Sequence, residues 1–132
     1  MNRNRVLVVD DDPIALEVAR ERLERAGYEV VTHDSGFGTS RVILDVRPEV
    51  VLLDVMMPGL SGGQLADLIA KSPTLSQVGV ILHSGKGGKE LREIVDLTGS
   101  AGAIEKTHDG AKFIAQFDDL VERVRRRSAL KP

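Results

Sequence analysis

Three consecutive aspartates, Asp10, Asp11 and Asp12, close an apolar run at 6–9, and a fourth, Asp54, closes another at 50–53. Each run reads as a buried β-strand. A carboxylate is too costly to bury without compensation, so these groups belong where their strands leave the core. If the two strands are parallel neighbours, three or four acidic groups meet in one crevice. Like charges that close raise one another's pKa unless a cation sits among them. Mg2+ suits such an all-oxygen site, because it takes one or two carboxylates and keeps several waters. A hydroxyl at Ser84 and an ammonium at Lys106 stand at the ends of two further short runs. Carboxylates, one hydroxyl and one lysine at the same mouth suggest phosphoryl transfer, which asks mainly for positioning and charge neutralisation. Asp54 is the best nucleophile candidate and would form an aspartyl-phosphate. Asp11 would hold Mg2+ and Asp10 a metal-bound water. Lys106 would pair with one phosphoryl oxygen as a point charge, and Ser84 with adjacent backbone N–H groups would take another.

The elements that must position these groups alternate. Strands are expected at 5–10, 29–32, 49–54, 78–83 and 102–106. Helices are expected at 13–26, 39–46, 63–71, 89–97 and 111–126. Pro13 fits the first turn of a helix capped by an aspartate, and Gly27 fits the position just past its end. Phe113, Ile114, Phe117, Leu120, Val121 and Val124 recur as the inner stripe of the last helix. Leu91, Ile94 and Val95 do the same for the helix before it. Alternating strands and helices imply right-handed crossovers and an α/β fold, with a doubly wound parallel sheet covered on both faces. Apolar strands without polar alternation agree with burial on both sides. Ligands of such sheets bind beyond the carboxyl ends of the strands. That rule gathers Asp10, Asp11, Asp54, Ser84 and Lys106 around one site.

Composition narrows the alternatives. The 132 residues are expected to form one domain, 1–132, with its core at 5–126 and a C-terminal tail at 127–132. Hydrophobic residues make up 42% and charged residues 29%, as in ordinary globular chains. The net charge of −2 gives no overall bias toward nucleic acid or anionic membrane. No cysteine is present, which excludes disulfides, thiol catalysis and cysteine-based zinc sites. No apolar stretch approaches a membrane span, and the first residues lack the apolar region of a signal peptide, so the expected compartment is the cytoplasm.

The motifs also match a family. The segments 6–13 (VLVVDDDP) and 51–59 (VLLDVMMPG), the pair Ser84-Gly85, and Lys106 together resemble the receiver domain of bacterial response regulators. Order and spacing agree from Val6 to about Val124. The resemblance implies a flavodoxin-like fold of five parallel strands in the order 2-1-3-4-5. It implies phosphorylation of Asp54 from a phosphohistidine on a sensor histidine kinase or phosphotransfer protein. It also implies Mg2+ on Asp11 and Asp54, with the backbone carbonyl of Met56 as a further ligand and Ser84 as the switching hydroxyl. Two positions depart from the family pattern. Thr107 replaces the proline that usually follows the lysine, and Ala103 replaces the tyrosine or phenylalanine that usually stands three residues before it.

Other residues have plainer readings. Asp12 reads as a helix cap. His33 and His108 read as loop residues, His83 as a partly buried strand-end side chain, and Met56 and Met57 as loop packing. Pro58 and Gly59 shape an open loop behind Asp54. The glycines at 85–88 fall short of a phosphate-binding loop, since Glu90 follows Lys89. Arg123, Arg125, Arg126 and Arg127 suit the negative end of a helix dipole. Little chain follows them, so direct nucleic-acid binding is not expected, nor is membrane association. The expected partners are the phosphodonor and an unidentified downstream protein, with the chain a monomer or weak dimer. Two other readings compete with a phosphorylated switch that does not turn over substrate. A haloacid-dehalogenase-like phosphatase would need a second aspartate where Met56 stands. A phosphorylation-independent, receiver-like interaction scaffold is motivated by Ala103 and Thr107.

Overall fold

The computed structural model describes residues 2–57, 62–85 and 87–130. Five strands alternate with five helices: β1 (Asn2–Val9), α1 (Pro13–Arg25), β2 (Glu29–His33), α2 (Thr39–Val46), β3 (Pro48–Asp54), α3 (Gly62–Lys71), β4 (Gly79–Ser84), α4 (Lys89–Thr98), β5 (Gly102–Glu105) and α5 (Gly110–Ala129). All strand pairs are parallel, in the order β2-β1-β3-β4-β5, as expected.

Successive side chains of a strand point to opposite faces. Val6, Val8, Val50, Leu52, Ile81 and Ile104 therefore face α1 and α5, where they meet Leu16, Leu23, Phe113 and Phe117. Leu7, Val9, Val51, Leu53, Val80 and Leu82 face the other way, against Ile43, Leu65, Ile69 and Leu91. Burying each large apolar side chain stabilises the fold by roughly 1.5–3 kcal/mol. This two-sided demand is why β1 and β3 read as unbroken apolar runs. Helix α5 comes closest to the sheet where β4 and β5 start. A Cβ on Gly79 would lie 2.5 Å from Val124 Cγ2, and one on Gly102 would lie 2.5 Å from Leu120 Cδ2.

An aromatic row runs along the α5 face. His83 lies 5.3 Å from Phe113 between ring centroids, Phe113 lies 5.9 Å from Phe117, and Phe117 lies 5.1 Å from Tyr28 in an edge-on pair. The Tyr28 hydroxyl donates to Asp118 Oδ1 at 2.5 Å.

Local chemistry explains the element ends. Asp12 caps α1 by accepting from the Ile14 N–H at 3.0 Å, with Pro13 at the first helical position. Asp109 caps α5 by accepting from the Lys112 N–H at 3.1 Å. Gly27, just past α1, takes the left-handed backbone that favours glycine, with φ of 99°.

Several boundaries differ from those expected. Strand β1 begins at Asn2, which pairs with Pro48 across an irregularity. Asn4 carries that irregularity with φ of 67°, a conformation asparagine tolerates better than most residues. Its side chain accepts from Arg125 Nη2 at 2.8 Å. Strand β5 stops at Glu105, which leaves Lys106 as the first loop residue. Helix α5 continues through Ala129, so the segment from 127 to 129 is helical rather than tail. Arginines are good helix formers, and Arg127 donates to the Gly99 carbonyl at 3.3 Å. Met56 and Met57, both expected as loop packing, part ways: Met57 packs in the core, and Met56 is 56% exposed and packs little. The loop expected at Pro58 and Gly59 lies outside the described residues. Among the described residues, no helix is long and apolar enough to cross a membrane.

Candidate functional site

The carboxyl ends of β1, β3, β4 and β5 converge because parallel strands end on the same side of the sheet. Val9 of β1 pairs with Leu53 of β3, which sets Asp10 beside Asp54. Asp54 pairs in turn with His83, and Ser84 with Glu105, the residue before Lys106. Asp10, Asp11 and Asp54 each offer a carboxylate oxygen, and these three atoms lie within 4.8 Å of one another. Asp10 and Asp54 are buried, while Asp11 is exposed.

Lys106 reaches over this cluster. Its Nζ donates to Asp10 Oδ2 at 2.9 Å and lies 3.8 Å from Asp54 Oδ1. The backbone completes the cradle. Asp10 Oδ1 accepts from the Asp12 N–H at 2.9 Å, and Asp54 Oδ1 accepts from the Met56 N–H at 3.1 Å. The Lys106 N–H donates to the Ser84 carbonyl at 2.6 Å, which ties the lysine to the end of β4.

The electrostatics are those of a site with too much negative charge for its burial. Burial pushes the Asp54 carboxyl up to about 6, and the charge of Asp10 adds to that push. The Met56 N–H and the Lys106 ammonium act against it. For Lys106, burial opposes the charged form, but the hydrogen bond to Asp10 and the charges of Asp10 and Asp54 outweigh it and raise its pKa. The Lys106 ammonium thus pairs with two of the three clustered carboxylates, Asp10 and Asp54. Three convergent oxygen donors and a residual negative charge fit a hard divalent cation.

The structure brings together Asp10, Asp11, Asp54 and Lys106 as the sequence suggested. Ser84 is 2% exposed at the end of β4, and Met56 enters through its backbone N–H. His33 and His108 stay apart from this cluster. His33 Nε2 lies 2.7 Å from the Phe37 carbonyl, and His108 is exposed in the loop before α5. Two neighbours were not legible as part of the site. His83 is buried under it on the α1–α5 side, and its Nε2 has no hydrogen-bond partner among the described residues. Burial, and next the charge of Lys106, push its pKa down to about 4. The only signal was a polar residue ending an otherwise apolar strand. Arg22 of α1 donates to the Thr107 carbonyl, one residue past Lys106, and nothing in its sequence position announces this.

A five-stranded doubly wound sheet with an acidic, cation-competent crevice at its carboxyl edge defines a flavodoxin-like α/β protein. The family described as the response regulator receiver domain matches residues 6–118, and the chain belongs to that family. It is thus a phosphoacceptor domain of two-component signalling. The chain is 30% identical to the phosphate regulon transcriptional regulatory protein PhoB of Pseudomonas aeruginosa, over 89% of its own length and 52% of the relative. It is 31% identical to the transcriptional regulatory protein CseB of Streptomyces coelicolor, over 92% of its own length and 51% of the relative. The chain therefore spans about half the length of these curated relatives. Among solved structures, the response regulator TrrA of Thermotoga maritima, in complex with Mg2+ and BeF, superposes with a TM-score of 0.77 at 27% identity. The match covers 88% of this chain and 97% of that one. The chemotaxis protein CheY4 of Vibrio cholerae shares the fold with a TM-score of 0.80 at 21% identity, over 88% of this chain and 97% of that one.

Proposed function

We propose that the chain is a Mg2+-dependent switch in which Asp54 accepts a phosphoryl group from the phosphohistidine of a sensor histidine kinase or phosphotransfer protein. The observation that carries this reading is the placement of Lys106 Nζ, 2.9 Å from Asp10 and 3.8 Å from Asp54, over three carboxylates within 4.8 Å.

In the transfer, an Asp54 carboxylate oxygen attacks phosphorus in line. The P–N bond of the donor breaks, and the imidazole nitrogen leaves with the bonding electron pair. The product is an acyl phosphate on Asp54. Asp11 and Asp54, with the Met56 carbonyl, would hold Mg2+, and Asp10 would hold one of its waters. When bound, the ion supplies charge that neutralises the carboxylates and polarises a phosphoryl oxygen. Lys106 covers a second oxygen after exchanging its contact with Asp54 for the new phosphoryl group. The Ser84 hydroxyl and neighbouring N–H groups take the third. TrrA, crystallised with Mg2+ and BeF, supports the same loading here.

The domain acts as a switch on a downstream protein partner rather than as a turnover enzyme. It works in the cytoplasm as a monomer or weak dimer. The output face is formed by α4, β5 and α5, where Ala103 stands half-buried. Incubation with acetyl phosphate and Mg2+, followed by intact mass, tests the reading. Wild type gains one phosphoryl group and Asp54→Ala gains none. No gain in wild type, or an equal gain in the variant, rules out the assigned acceptor.

A further inference from the structure

Lys106 can act only if the loop that carries it is held still. Its own strand ends one residue earlier, so its direction is set by residues 106–109. On one side the Lys106 N–H is tied to the Ser84 carbonyl at 2.6 Å. On the other, the Thr107 carbonyl accepts from Arg22 Nη1 at 3.0 Å, across 85 positions of sequence. Thr107 Oγ1 then accepts from the Asp109 N–H at 3.1 Å, and Asp109 caps α5. Thr107 has no ring to fix its backbone, so the loop's shape is carried by these bonds.

Arg22 is itself well held. It is half-buried on α1, and its guanidinium carbon lies 5.6 Å from the centroid of the fully buried Phe113 ring. That distance is within the range of a cation–π contact. Gly110 leaves room for it, since a Cβ there would sit 3.3 Å from Arg22 Nε. Among the described residues, Arg22 forms no ion pair with a carboxylate. Its forked, permanently charged head is committed to the carbonyl next to Lys106. A charged donor makes a stronger hydrogen bond than a neutral one, and a planar fork loses little freedom in making it.

We infer that Arg22 is a positioning residue for Lys106: from α1 it clamps the Thr107 carbonyl and so holds the ammonium over Asp10 and Asp54. The functional part of this rests on the phosphoacceptor reading above. Arg22 touches neither the phosphoryl group nor the carboxylates that would hold the cation. Its loss therefore slows phosphoryl transfer while cation binding persists.

Three measurements on the full chain test this, with Arg22→Met, which keeps the stem over Phe113, and Arg22→Lys, which keeps a charged donor. They are the maximal rate of Asp54 labelling by acetyl phosphate, the Mg2+ dissociation constant by titration, and the Lys106 Nζ resonance by NMR. Misplacement of a reacting group by about 1 Å can cost up to about a hundredfold in rate, so Arg22→Met is expected to label about tenfold slower. Its Mg2+ affinity is expected to stay that of wild type, its Lys106 resonance to move, and Arg22→Lys to recover part of both. A rate and a resonance unchanged in Arg22→Met overturn the inference. So does Mg2+ affinity falling in parallel with rate, which would mark general loosening. If Arg22→Met does not fold, the same comparison between Arg22→Lys and wild type decides. If wild type itself takes no label, the phosphoacceptor reading fails, and the Lys106 resonance still decides whether the clamp exists.

Discussion

Lys106 Nζ sits 2.9 Å from Asp10 Oδ2, joining the loop after β5 to the end of β1 across 96 positions of sequence. The pair is unequal, because the carboxylate is almost wholly buried while the lysine side chain is 29% exposed. Removing the lysine leaves the Asp10 carboxylate buried beside Asp54, held by the Asp12 N–H but without a counter-ion among the described residues. Lys106→Met is therefore expected to lower stability in the absence of divalent cation by about 1–3 kcal/mol, and added Mg2+ should restore much of it. Urea melts with and without Mg2+ check this. A loss that Mg2+ leaves untouched would place the effect in packing rather than charge.

Asp54 makes the opposite contribution. Its folded-state pKa, raised to about 6 against an ordinary 3.8, means that the folded chain holds this proton more tightly than the unfolded one. The associated stability is present below about pH 4 and is lost as pH rises through 6. At pH 7 the ionised group opposes folding, so Asp54→Asn should stabilise the cation-free protein by about 1–3 kcal/mol. The gain should shrink toward pH 4. Denaturation of both proteins at pH 4 and pH 7 tests the sign.

His83 has the reverse slope. Its folded-state pKa falls to about 4 from 6.5, so the unfolded chain takes the proton first. Stability present above pH 6.5 is lost as pH falls toward 4. The buried Nε2 has no partner among the described residues. His83→Leu should therefore raise stability at pH 7 by about 1–2 kcal/mol and flatten the acid limb of the stability curve. A variant with an unchanged acid limb would assign that limb to other groups.

The acyl phosphate should be long-lived. Met56, two residues past Asp54, is exposed and apolar, with no group to orient an attacking water. Resemblance to receiver domains implies that this position and Lys86, two past Ser84, control water access to the acyl phosphate; Lys86 lies outside the described residues. Met56→Asn should shorten the lifetime of the phosphoryl group by about tenfold or more, followed by loss of label in purified protein. Decay of the wild-type label within seconds would refute the assignment.

The acidic crevice was legible because its parts obey strong local rules. Val6 to Val9 and Val50 to Leu53 are apolar on both faces, as a covered parallel strand requires, and the first polar residue after each run had to be its exit. Asp12 and Pro13 announced α1 through capping chemistry that needs no tertiary context. Asn4 was not legible, since an irregularity at the edge of β1 depends on Arg125 reaching it from α5. Met56 and Met57 are alike in composition, and only the chain's direction after β3 sends one outward and the other into the core. Arg22 left no trace because its partner is a backbone carbonyl, which every residue has.

The row of rings from His83 to Tyr28 gives the protein an optical consequence. The chain has one tyrosine and no tryptophan, so its near-ultraviolet emission comes from a single place. That fluorophore lies against Phe117, with its hydroxyl bound to Asp118 on α5. Any event at the crevice that shifts α5 against the sheet would register as a change in tyrosine emission, without a label attached.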